Sequence, residues 1–211
     1  YAVAGRHLVV LDIADPSNMI VTGSLPLPGS VSDLIFKRSI LYTTGRLAFN
    51  YSPETGSTAS VSYITTIDVG SGEPRLLNTV TVPLAVDVLT VTADDVLYAG
   101  SALSGMTSTP FLAIDAQDPT QLDDPHVITG MPSVFDMQVF GDTLLIASES
   151  DTIYAYQLAN PLAPHLVWQL QDSSLGIVQG IGVRDDQIYT VGVQPAGGYV
   201  PTRSQLTAPE A

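Results

Sequence analysis

Leu8-Val9-Val10-Leu11-Asp12-Ile13 opens a phrase that returns three times along the chain. It comes back as Ile64-Thr65-Thr66-Ile67-Asp68-Val69, as Phe111-Leu112-Ala113-Ile114-Asp115-Ala116 and as Ile153-Tyr154-Ala155-Tyr156-Gln157-Leu158. A second phrase stands ahead of the later copies. It reads Ile40-Leu41-Tyr42-Thr43-Thr44-Gly45 and recurs at 96–101, 144–149 and 188–193. Self-similarity at a period of this length marks a repeat architecture, and short β-rich phrases at that period predict an all-β fold, a β-propeller of four-stranded antiparallel blades.

The fourth unit shows the frame. Strand A is Phe135-Asp136-Met137-Gln138-Val139-Phe140, turned at Gly141-Asp142 into strand B at 143–148. A short link at 149–152 leads to strand C at 153–158, and a Pro-containing turn at 159–164 leads to strand D at 165–170. The runs are rich in Val, Ile, Leu, Thr and Tyr and are bounded by Gly, Pro, Asp or Asn, as strands are. The frame predicts a propeller region over 1–193 with complete blades at 32–86, 87–134 and 135–178. Residues 1–31 supply strands B, C and D, and 179–193 supply A and B. About four blades are thus expected, either closing on themselves or belonging to a larger ring, and the duplication of strand B at the two ends favours the larger ring. Tyr1-Ala2-Val3-Ala4-Gly5 matches the interior of a repeat, so residue 1 is expected to follow a processing boundary or further upstream sequence. The segment 194–211, with three Pro and two Gly, reads as a tail or linker.

The charge is lopsided: 21 acidic residues stand against seven basic ones, a net charge of −14. Phosphate binding needs basic clusters, so neither nucleic acid nor an anionic membrane surface is expected as a partner. No apolar run approaches the roughly 18 residues of a membrane span. Many of the Asp sit in turns, where the side chain bonds its own backbone, so a solvated acidic exterior explains them better than a cation-binding surface. The chain has no cysteine, which removes disulfides, thiolate metal sites and thiol nucleophiles. An acidic, Ser/Thr-rich chain with a single lysine leans towards export.

Leu8-Val9-Val10-Leu11-Asp12-Ile13-Ala14-Asp15-Pro16-Ser17-Asn18 resembles the LVIVD repeat of bacteria and archaea, named for such a strand and its Asp-Pro turn. The likeness thins to the Ile-Asp pair in the second unit and to Ile114-Asp115-Ala116-Gln117-Asp118-Pro119 in the third. The fourth departs, with Gln157 at the Asp position and Asn160-Pro161 in the turn. With its framework strands it covers most of 1–193. The resemblance implies seven-bladed propellers on exported or surface proteins, and the repeat residues it rests on are structural, so it carries over no catalytic position.

Candidate sites divide by chemistry. His7, His126 and His165 lie far apart, none with a partner at metal-ligand spacing. Asp12, Asp68 and Asp115 recur at one position of strand C, which predicts a repeated structural bond to the following turn or to the next blade. Asp115, Asp118, Asp123 and Asp124 could offer oxygens to calcium, yet they lack the Asp-x-Asp-x-Asp-Gly loop, so no metal or other cofactor is expected. Neither a Gly-x-Ser-x-Gly elbow nor a phosphate-cradling Gly-rich loop with Lys occurs. Asn50-Tyr51-Ser52 fits the N-glycosylation acceptor pattern, a match short enough to arise by chance.

The distinctive local feature is the long B-to-C connection of the second unit, Arg46 to Tyr63, with a milder extension at 101–110 in the third. Arg46, Phe49, Tyr51, Tyr63 and Met106 are the candidate binding residues. Aromatics among small polar residues suit contact with a protein or a glycan; the competing reading is a hairpin packed on its neighbour. The leading expectation is therefore a non-enzymatic, extracellular or cell-surface interaction module that binds a protein or polysaccharide. An enzyme with a site at the mouth of a central channel is the alternative, for which Asp33, Asp87, Asp136 and Arg184 make a thin set. A purely architectural spacer is the third reading.

Overall fold

The computed structural model describes residues 1–52, 57–101, 111–148, 151–184, 187–193 and 199–204, with side chains for all of these except 48–52, 57–60, 175 and 199–204. They are all-β: the one helical turn among them is a 3-10 turn at Ser173–Leu175. Five antiparallel sheets follow one another along the chain.

The first sheet has the order β1-β2-β3, formed by Ala2–Ala4, His7–Asp12 and Ile20–Pro26. The second is β4-β5-β6-β7, formed by Ser30–Lys37, Ile40–Ser52, Ser57–Asp68 and Arg75–Val82. The third consists of β8 (Val88–Val91), β9 (Val96–Gly100), β10 (Phe111–Asp115) and β11 (His126–Ile128). The fourth holds β12 (Asp136–Phe140), β13 (Thr143–Ala147), β14 (Thr152–Gln157) and β15 (His165–Gln171). The last is β16-β17-β18, formed by Ile177–Arg184, Gln187–Val193 and Tyr199–Ser204. Three sheets thus carry the expected A-B-C-D order in full, and the first carries B, C and D.

The last sheet corrects the sequence reading. Within the segment 194–211, read as a tail or linker, Tyr199–Ser204 pairs with β17 from Val193↔Tyr199 to Ile188↔Ser204. Tyr, Val and Thr favour a strand, and Pro201 is tolerated because β18 is an edge strand whose outer side needs no N–H.

Contacts divide the chain into two compact units, Tyr1–Leu89 with Ile114–Pro125, and Thr90–Ala113 with His126–Ala211. In the first unit Leu8, Leu27, Leu41, Ile67 and Val69 form a buried cluster backed by Leu25, Val31 and Leu34. In the second, Leu145, Ala147, Ile153, Ala155, Val178 and Ile188 are packed under Trp168, Ile181 and Val183. The first cluster joins the first and second sheets, and the other joins the fourth and fifth.

Three last strands, β3, β7 and β15, share a defect. The register slips between Val10 and Leu11 opposite β3, between Thr66 and Ile67 opposite β7 and between Ala155 and Tyr156 opposite β15. In each case the outer strand holds one extra residue: Thr22, Leu77 or Val167. Such bulges twist an edge away from further pairing.

Candidate interaction site: the β5–β6 arm, its base and the strand-A aspartates

The connection from Arg46 to Tyr63 is not an open loop. β5 and β6 continue past the sheet as a paired ribbon. β4 accompanies β5 only as far as Ser30↔Arg46, and β7 accompanies β6 only as far as Val82↔Ser62. Beyond a one-residue slip at Leu47, five pairs follow: Ala48↔Val61, Phe49↔Ser60, Asn50↔Ala59, Tyr51↔Thr58 and Ser52↔Ser57. At about 3.4 Å per residue the arm reaches roughly 17 Å past its neighbours. Phe49 and Tyr51, two residues apart on β5, belong to this ribbon, as does the Asn50-Tyr51-Ser52 acceptor pattern. Met106 and the rest of the 102–110 extension lie outside the described residues.

The base of the arm is closely held. Tyr63, expected as an exposed aromatic, is fully buried, because it lies in the stretch 62–67 of β6 that is buried on both faces. Its hydroxyl lies 3.2 Å from the Gly29 carbonyl and 3.3 Å from that of Ser30, to either of which it donates. Burial pushes the phenol up to about 12, against the opposing pull of the Arg6 charge. Arg6 in turn donates to the Pro28 carbonyl. Tyr63 is therefore a brace, not a contact residue.

Arg46 is braced as well. Its Nε and Nη2 donate to Asp87 Oδ1 and Oδ2 at 3.0 and 2.8 Å, a two-pronged ion pair whose side chains are 24% and 19% exposed. The Ser32 hydroxyl reaches Asp87 Oδ1 at 3.3 Å. Forked geometry and partial burial make this pair stronger than an open surface pair, which contributes about 0–1 kcal/mol. Two glycines let the backbones close in. A Cβ on Gly45 would stand 1.7 Å from the Ser30 carbonyl oxygen, and one on Gly29 would stand 2.4 Å from that of Arg46. No other residue fits at either place.

The strand-A aspartates have a role that sequence reasoning missed. Asp33 Oδ1 accepts from its neighbour Leu34 N at 2.7 Å, and Oδ2 accepts from Leu89 N on β8 at 2.7 Å. Asp136 repeats the arrangement in the other unit, with Met137 N at 2.9 Å and Ile181 N on β16 at 2.8 Å. Gln138 Oε1 adds a bond from Val183 N at 3.0 Å. One carboxylate thus ties the first strand of one sheet to the first strand of the next. Burial raises the Asp33 pKa, and the two backbone bonds partly oppose it.

The strand-C aspartates bond the following turn, one of the two roles expected of them. Asp12, Asp68 and Asp115 each accept through Oδ1 from the N–H two residues on, at Ala14, Gly70 and Gln117, all at 2.9 Å. A second such bond follows in the Pro-containing turns, from Ser17 N to Asp15, Thr120 N to Asp118 and Leu162 N to Asn160. These bonds occupy one oxygen of Asp115 and one of Asp118, while Asp123 and Asp124 are exposed. Among the described residues no three His, Cys, Asp or Glu side chains gather where they could hold a metal ion. His7, His126 and His165 each begin a strand and face solvent.

The turns also meet the neighbouring sheet. Pro119 O accepts from Thr66 Oγ1 at 2.5 Å, and Pro161 O accepts from Tyr98 Oη at 2.8 Å. Burial raises the Tyr98 phenol to about 12, so it stays a donor.

No family model matches the chain, and no curated protein matches it. Among solved structures it is similar to a functionally unknown protein from Desulfotomaculum acetoxidans DSM 771, with a TM-score of 0.66 at 12% identity. The match covers 96% of this chain and 62% of that one, so the chain spans less than two thirds of the other protein's length. At that identity the likeness is one of fold. No described helix is long and apolar enough to cross a membrane.

Proposed function

We propose that the successive sheets are blades of a propeller of the LVIVD type, and that the chain is a non-enzymatic interaction module of an exported or surface protein. Its β5–β6 arm is the contact element, and its partner is a protein or a polysaccharide. The observation that carries this reading is a two-stranded ribbon held on a rigid base. A lone hairpin is marginal in water, so an arm of this kind gains most from a partner. The base, fixed by Tyr63, the Arg46–Asp87 pair and the close packing at Gly29 and Gly45, reduces the ordering cost of binding.

The carboxylates an active site would recruit support the same reading. Asp33 and Asp136 hold backbone N–H groups, and Asp87 holds Arg46. The test compares the intact chain with a variant in which 48–61 is replaced by a two-residue Asn-Gly turn. Both serve as bait against cell-surface extract and against a panel of soluble polysaccharides. A partner retained by the intact chain and lost from the trimmed one is expected. Equal retention by both would remove the arm from the function.

A further inference from the structure

An arm of this kind also bears on how the chain meets copies of itself. The last strand of each sheet is blunted as a pairing edge. β3, β7 and β15 carry bulges, β11 has three residues, and β18 has Pro201 in its run. The arm is different. From Ala48↔Val61 to Ser52↔Ser57 the register is regular, with no proline and no charged residue in 48–52 or 57–61. Among the described residues no third strand lies along either edge of it.

Charge decides which partner suits such an edge. The body is strongly acidic, at −14 overall, and a basic partner would be met best by an acidic contact element. A neutral edge instead suits a neutral strand, and this chain supplies one in its own arm. Two copies meeting at their arms keep their bodies apart. The arm's reach of roughly 17 Å is about twice the ~8 Å screening length at physiological salt, so repulsion between the acidic bodies is largely screened.

We infer that the arm pairs edge to edge with the arm of a second copy of this chain, forming a two-fold antiparallel sheet. This rests on the reading of the arm as the contact element and names its partner. The antiparallel arrangement lets one surface serve both copies, and the bonds are those of β-augmentation.

Sedimentation equilibrium on the intact chain tests it, run beside the trimmed variant and beside Ala59→Lys. Lysine at an edge is a common natural block to pairing and leaves the arm's own register intact. The intact chain is expected at twice the chain mass at physiological salt. Both variants are expected at the chain mass, with unchanged far-UV circular dichroism of the body. An intact chain that stays single up to millimolar concentration overturns the inference, as does a trimmed variant that still doubles. The arm's role as contact element is judged separately, by the partner that the trimmed bait loses.

Discussion

Two sets of aspartates recur in this chain, and they perform different work. Asp12, Asp68 and Asp115, at the end of strand C, reach two residues along their own backbone. Asp33 and Asp136, on strand A, reach 56 and 45 residues along the chain into the next sheet. The first set shapes a turn through bonds that span two residues. The second joins elements that nothing local brings together. A residue that recurs at one strand position is therefore not one kind of signal, and its partner's distance along the chain decides what its loss would cost.

Removing a strand-A carboxylate should produce the larger break. Asp33→Ala leaves Leu34 N and Leu89 N without an acceptor, and Asp136→Ala does the same to Met137 N and Ile181 N. At about 1–3 kcal/mol for each stranded group, a loss of about 2–6 kcal/mol is expected from urea unfolding of either variant. Amide exchange at Leu89 should quicken in Asp33→Ala. If it does not, the bond across the seam holds nothing.

Perturbing a turn should do less. Gly141, between β12 and β13, has φ +59°, and a Cβ there would touch nothing within 4 Å. Gly141→Ala therefore carries only the backbone penalty, about 1 kcal/mol, read in the same unfolding experiment. A loss as large as that of Asp136→Ala would erase the distinction between turn and seam.

The smallest effect is the most discriminating, because its sign differs between Asp33 and Asp118, a carboxylate of the Pro-containing turn. Burial raises the Asp33 pKa, so its contribution to stability is fully present below 3.8 and fades as pH rises through the folded value. Asp118 behaves oppositely. Bonds from the Thr120 hydroxyl and backbone hold its pKa down, so its contribution is present above 3.8 and lost as pH falls through the folded value. The stability of the wild type minus that of Asp33→Asn should fall as pH rises above 3.8. The corresponding difference for Asp118→Asn should grow as pH rises towards 3.8. Parallel slopes would mean that the two environments do not differ.

The division between local and distant also marks what the sequence could reveal. The strands and Pro-containing turns were legible because period-two apolar runs and Asp-Pro pairs act within a few residues. Strand-C aspartates were legible for the same reason. Asp33 and Asp136 looked like a thin set of carboxylates, since their partners are main-chain groups that no side-chain pattern announces. Tyr63 read as exposed because the Ser/Thr-rich run before it conceals where β6 begins. Its place directly before the continuously buried Ile64–Ile67 stretch of β6 was the available clue. The arm was hidden because Ser57-Thr58-Ala59-Ser60 lacks apolar alternation, and β18 because Pro and Gly around it resemble a linker.

One consequence follows from what the seam aspartates hold. Their acceptors meet main-chain N–H groups, and the Pro119 and Pro161 carbonyls that receive Thr66 and Tyr98 are main chain too. A neighbour recognised through its backbone places few demands on its side chains. Units joined in this manner can be duplicated, and their sequences can then drift apart while the joint persists. A fold can then be held in common, as it is here, with a protein that is 12% identical in sequence.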